Sequence, residues 1–165
     1  MTSNEYEKLT ADIVGKFKSH MGNNNILVKC GKNNKWKGAS THNHQIDISV
    51  EYKDKIYIVE CKRYKQRINV ANMLVLVGRI KDIQANEKRK INGIFFTTKG
   101  YQGGAKKVAK YFQIVINTAM SIDEFAAQLA EHVIIGTQSL KLGLQLHQPE
   151  IITSNNSIQR TEFDA

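Results

Sequence analysis

Two acidic residues and a lysine carry the chemistry this chain can do: Asp47, and thirteen residues later Glu60-Cys61-Lys62. Both acids lie in apolar, strand-like runs, Gln45-Ile46-Asp47-Ile48-Ser49-Val50 and Ile56-Tyr57-Ile58-Val59-Glu60-Cys61-Lys62. Charges are rare in such runs unless they face solvent or do chemistry. Side chains alternate across a strand, so Glu60 and Lys62 project to the same face. Tyr52-Lys53-Asp54-Lys55 reads as a hairpin turn between the runs. With a loop of two or four residues, Asp47 falls opposite Glu60, at a Cβ separation of roughly 4.5–5.5 Å. Two carboxylates that close repel each other unless a cation joins them. Oxygen donors of this kind suit Mg²⁺, with Mn²⁺ able to substitute.

The surrounding periodicity shows what must position these groups. Residues 4 to about 20 read as an amphipathic helix with Tyr6, Leu9, Ile13 and Phe17 on one stripe. Thr2 or Ser3 is placed to cap it, Thr2 with Glu5 forming a capping box, and Gly22 stops it. A short strand begins at Ile26, and residues 31 to 44 read as a polar, basic loop before the hairpin. A second helix is predicted from Val70 to about Asn86, its apolar face built from Met73, Leu74, Val77 and Ile80. Ile94 to Thr98 is apolar without alternation and reads as a strand buried on both faces. Gly103-Gly104 opens a short helix through Val108 and Tyr111, and Ile114-Val115-Ile116 reads as another buried strand. Ser121 and Glu124 form a capping box for a last helix ending near Ile135. The order implies an α/β sandwich: a central mixed β-sheet, parallel where helical crossovers join strands, flanked by helices. One domain over residues 1–136 is expected, with a partly flexible C-terminal extension over 137–165, its last stretch from Thr153 polar and loose.

The 165 residues carry 24 Lys and Arg against 15 Asp and Glu, a formal charge of +9. The basic residues are grouped at Lys29 to Lys37, Lys62 to Arg67, Lys88 to Lys90 and Lys99 to Lys110, several of them flanking the acidic motif. This favours a polyanionic partner, DNA before a membrane surface. Cys30 and Cys61 form no spaced metal or redox motif, and Cys61 is expected to pack as a small hydrophobe. No signal pattern or long apolar span occurs, so a soluble, cytoplasmic protein is expected.

A leading helix, then Gln45-Ile46-Asp47, Val59-Glu60-Cys61-Lys62-Arg63-Tyr64, Phe96-Thr97-Thr98-Lys99-Gly100-Tyr101 and Ala105-Lys106-Lys107-Val108-Ala109 in order, resembles the PD-(D/E)XK nuclease superfamily. More narrowly it is similar to the Mrr-like restriction endonuclease domain, from about residue 4 to 120. The resemblance implies a restriction-endonuclease-like fold and metal-dependent hydrolysis of DNA phosphodiesters. It makes Asp47 and Glu60 the metal-binding acids and Lys62 the lysine that assists attack, with Glu7 and Gln45 in supporting positions. Ile46 stands where the superfamily's name has proline. The chain is short for a further DNA-recognition domain, so recognition of modified DNA is not implied.

Candidate DNA contacts are Lys35, Lys37, His44, Arg63, Lys65, Lys99, Gln102, Lys106 and Lys107. Each has a plainer alternative, a solvated lysine or an exposed loop histidine; Trp36 reads either as a ring that stacks on an unpaired base or as one that packs back on the domain, and Gly103-Gly104 either as amides near a phosphate or as an ordinary turn. The sequence therefore points to an Mg²⁺-dependent DNA endonuclease of restriction or defence type, expected as a homodimer that sets two centres against two strands. A Holliday-junction-type resolvase of the same fold is a close variant. A non-catalytic DNA-binding module of a larger assembly is the rival from another class.

Overall fold

A computed structural model describes residues 3–22, 25–63 and 65–145 of the chain. Its first helix, α1 (Ser3–Met21), covers the predicted stretch, with Ser3 as its first helical residue. Thr2 and the side chains of Glu5, Tyr6 and Glu7 lie outside the described residues, as does everything from residue 146. Ile13, Phe17 and Met21 continue the predicted stripe and are buried.

Strands β1 (Ile26–Cys30), β4 (Ile48–Tyr52) and β5 (Lys55–Lys62) follow α1. With β6 (Lys90–Thr97) and β7 (Val115–Thr118) they form one five-stranded sheet in the order β1-β4-β5-β6-β7. The first three strands are antiparallel neighbours, and β5, β6 and β7 are parallel. The parallel half arises where α2 (Val70–Gln84) and α3 (Gly103–Tyr111) carry the chain back across the sheet. This is the α/β mixed-sheet sandwich the sequence implies.

The sheet's two faces have separate cores. Tyr57, Val59 and Cys61 of β5 pack with α1 and with α4 (Ile122–Gln145). Ile56 and Ile58 of the same strand pack under α2 and α3 with Met73, Leu76, Ile80 and Ala105. Burial on both faces explains the unbroken apolar run of β5. Gly93 of β6 lets α2 come close, since a Cβ there would lie 2.4 Å from Ile80 Cδ1 and 2.6 Å from Ile114 Cδ1.

Four local expectations change. Residues 31–44 are not all loop: β2 (Lys35–Lys37) and β3 (Asn43–Gln45) form a small antiparallel hairpin of their own. Buried Asn34 holds that hairpin to the sheet. Its side chain donates to Lys29 O (3.1 Å) and Ile46 O (2.9 Å) and accepts from Trp36 Nε1 (3.0 Å) and Ser49 Oγ (2.9 Å). On α2 the buried face is Met73, Leu76, Val77, Ile80 and Ile83, while Leu74 points outward. The helix starts on an Asn69–Asn72 capping box, which fixes that rotation. Strand β7 is an edge strand and only half-buried. Helix α4 starts at the predicted Ser121 cap, where Glu124 N donates to Ser121 Oγ, but it runs on to Gln145 instead of ending near residue 135.

Candidate functional site

The turn between β4 and β5 decides the site's geometry. Tyr52 pairs with Lys55, leaving Lys53-Asp54 as a two-residue loop, with Lys53 at φ 55°. The register then runs to Ile48 opposite Val59. One step further along stand Asp47 and Glu60. Asp47 is not inside a strand; it occupies the bend between β3 and β4. Its carboxylate Oδ2 accepts the Cys61 backbone N–H at 2.8 Å, which fastens it to the end of β5.

Glu60 is 3% exposed. Its Oε1 lies 2.7 Å from Lys62 Nζ, as expected for side chains two residues apart on one strand. Its Oε2 accepts from Arg79 Nη1 of α2 at 2.9 Å. Burial and the neighbouring Asp47 charge push the Glu60 carboxyl above the ordinary carboxylate range, against the pull of Lys62 and Arg79. Cys61 is buried on the opposite face, and burial pushes its thiol well up. It therefore packs as a neutral small group and offers no soft donor.

The sequence does not name Arg79, although a signal exists: it is the one charged residue between Val70 and Ile80 of an apolar helix. Asp82, one turn on, was missed as well. It accepts from Ser40 N (2.8 Å) and Ser40 Oγ (2.5 Å), and lies 2.6 Å from His44 Nε2. Gly38 gives its carboxylate room, because a Cβ at that position would lie 1.9 Å from Asp82 Oδ2. His44 is thus half-buried against α2 rather than loose in a loop. Trp36 packs against the α2 core, with Lys29 Nζ 5.5 Å above its ring.

Gln45 ends β3, exposed, and pairs with Lys35; Lys37 lies further along the hairpin. Arg63, Lys65, Lys99 and Gln102 are exposed on the two segments that leave the C-terminal ends of β5 and β6. An Ile68–Tyr101 bridge joins those segments. Lys106 and Lys107 are exposed on α3 just after them. These six residues therefore share the end of the sheet where Glu60 sits. The Tyr101 hydroxyl donates to Asn117 O (2.9 Å) and contacts Phe95 O, tying β6 to β7 there. Glu7 lies on α1, its side chain outside the described residues, and Tyr64 is likewise not described.

Among the described residues no three or more His, Cys, Asp or Glu side chains converge as a metal cage. Two hard carboxylates at one strand end do converge, and Mg²⁺ is commonly held by one or two carboxylates with water completing its shell. The donor set fits such an ion. The charge it would bring is carried in this structure by Lys62 and Arg79.

Solved structures are similar to this chain. One is the crystal structure of the protein of unknown function AF1548, 18% identical, with a TM-score of 0.54 over 67% of this chain and 56% of that one. Another is an EndoMS–dsDNA2 complex, 16% identical with a TM-score of 0.49, covering 72% and 45% of the two chains. A third is a repair endonuclease from Pyrococcus abyssi, 14% identical with a TM-score of 0.46, covering 66% and 46%. The chain spans about half the length of these structures. No curated protein matches it. Residues 5–127 match the Mrr_cat family model, described as restriction endonuclease. That span is well over half of the 165 residues, so the chain belongs to the Mrr-like restriction endonuclease family of the PD-(D/E)XK superfamily.

Proposed function

We propose that the protein is a metal-dependent endonuclease that hydrolyses DNA phosphodiesters, in restriction or defence. One observation carries the reading. Glu60, almost fully buried beside Asp47, shares its carboxylate with Lys62 at the end of the central parallel strand. Ligand sites of open α/β sheets gather at the carboxyl ends of their strands. A carboxylate buried there against a second one, with its proton affinity raised, is the signature of a functional site.

Asp47 and Glu60 would hold Mg²⁺ or Mn²⁺. Such an ion supplies Lewis-acid chemistry, neutralising phosphate charge and making a water more acidic. Asp47 stays aimed by the Cys61 N–H. Lys62 turns from Glu60 toward the scissile phosphate, where its ammonium orients the attacking water and stabilises charge building on the phosphate oxygens. Arg79 keeps the second oxygen of Glu60 neutralised, so that carboxylate remains ionised despite its burial. Gln45, at the rim, orients water, and Glu7 supports the centre from α1. Lys35, Lys37, His44, Arg63, Lys65, Lys99, Gln102, Lys106 and Lys107 hold the DNA backbone. We take the active form to be a cytoplasmic homodimer, with one centre for each strand.

The test is incubation with supercoiled, linear, single-stranded and four-way-junction DNA, with Mg²⁺ or with excess EDTA. Strand cleavage that needs the metal and is lost in Asp47→Ala is the expected result. Binding to DNA with no cleavage of any form would identify a non-catalytic module instead. Full activity in EDTA would remove the metal from the reaction.

A further inference from the structure

A cleft of about 220 Å³ opens on the other side of the strand end that bears Glu60. Cys61 lines it with its side chain's face while its N–H holds Asp47, so cleft and carboxylates are two sides of one residue. Leu9 and Ile13 of α1 form one wall. Phe96 and Phe125, buried and stacked with ring centroids 3.8 Å apart, also line it. Thr97, Thr98 and Ser121 add hydroxyls, which both donate and accept. Ala119, Lys62 and Arg63 line it as well.

The cleft is smaller than the roughly 300–1,000 Å³ of pockets for drug-sized ligands. It suits one flat apolar group with a polar edge. Whatever enters must lie a short tether from a phosphate, because Lys62 serves both this lining and the acidic centre. A nucleobase meets all of these conditions, standing one sugar away from its own phosphodiester. Inside a duplex that base is stacked and cannot enter, whereas an unpaired one comes out at little cost.

We propose that this cleft takes the base of an unpaired nucleotide next to the cleaved phosphodiester, so that the preferred substrate is DNA with a base outside the helical stack. The proposal rests on the DNA-cleaving reading above and adds the substrate class to it. The base packs against the apolar lining, a contact that tolerates sequence because every base has a π-face.

The test uses fluorescence anisotropy in EDTA, where DNA is not cut. Three probes are compared: a perfect duplex, the same duplex with one bulged nucleotide, and the same bulge made abasic. Wild-type protein should bind the bulged base about 10-fold tighter than the abasic bulge, the discrimination that one stacked base gives. Ala119→Leu, which fills the cleft, should bring the two bulges level and leave perfect-duplex affinity unchanged. Equal affinity of wild-type protein for both bulges would overturn the proposal without needing any variant. Discrimination retained in folded Ala119→Leu would place the base elsewhere. If perfect duplex is bound in EDTA and cut once Mg²⁺ is supplied while the bulges are equal, only the cleft reading fails; if no DNA is bound, the nuclease reading fails with it.

Discussion

Glu60 has no free oxygen in this structure, since Lys62 and Arg79 take one each. A divalent ion therefore competes with two cations for that carboxylate, and substitutions at the three positions should separate. Asp47→Ala and Glu60→Ala remove donors, and both should abolish cleavage and Mn²⁺ binding. Lys62→Ala should abolish cleavage yet bind Mn²⁺ as well as or better than wild type, because the carboxylates lose a competitor. Calorimetric Mn²⁺ titration of the folded variants decides this; Lys62→Ala losing metal as fully as Asp47→Ala would refute the roles. Arg79→Gln should destabilise the metal-free protein by about 1–3 kcal/mol, the cost of leaving a buried charge short of a hydrogen bond. Saturating Mg²⁺ should recover much of that loss, as urea melts with and without the ion will show. The acid pair was legible in the sequence because two-residue alternation and a short turn are enough to place it. Arg79 was not, because its contact depends on how a helix rolls onto the sheet.

At the scale of elements, Asp82 is the latch between the β2–β3 hairpin and α2. Hydrogen bonds from Ser40, and then His44, hold its carboxyl down at about 2 against an ordinary 3.8. A depressed folded value stabilises the protein above the unfolded value and ceases to do so as pH falls through the folded one. Asp82→Asn should therefore be less stable than wild type above pH 4, and the two should converge as pH drops toward 2. Urea midpoints measured across that range check the prediction; a gap that does not change with pH would show that Asp82 acts by shape alone. The hairpin escaped sequence reading for a physical reason. Each of its strands has three residues with exposed outer positions, and its anchor is a polar side chain, Asn34, where pattern reading looks for apolar ones. The facing of Leu74 was misread because α2 is apolar on both sides in its first turns, so composition could not choose a face. The central strands were legible because the apolar runs of β5 and of Ile94-Phe95-Phe96 in β6 are buried on both faces; the start of β6 at Lys90 was not, because Asn92-Gly93 breaks its run.

At the scale of the molecule, the charge of +9 is gathered partly where the strands end. If Lys106 and Lys107 hold phosphates, DNA affinity should fall with salt at a slope of about −0.9 per contact, and each alanine substitution should flatten it by about that amount. An unchanged slope in a Lys106→Ala, Lys107→Ala double variant would put α3 outside the DNA interface. No helix among the described residues is long and apolar enough to cross a membrane.

The acidic centre is built from parts that assemble over very different stretches of chain. Glu60 and Lys62 lie on one tight hairpin and Asp47 just before its first strand, whereas Arg79 reaches Glu60 only after α2 docks on the sheet. Local hairpins close in about 1–10 μs, while pairings that enclose a crossover helix come later. In the folding reaction, Glu60 would then stay hydrated until the step that brings its guanidinium partner, so the carboxylate is never dehydrated alone. A mutation at Arg79 should accordingly leave the refolding arm of a chevron plot in place and steepen the loss on the unfolding side, raising the unfolding rate by nearly the whole change in stability. Slowed refolding instead would mean that α2 is already seated in the transition state.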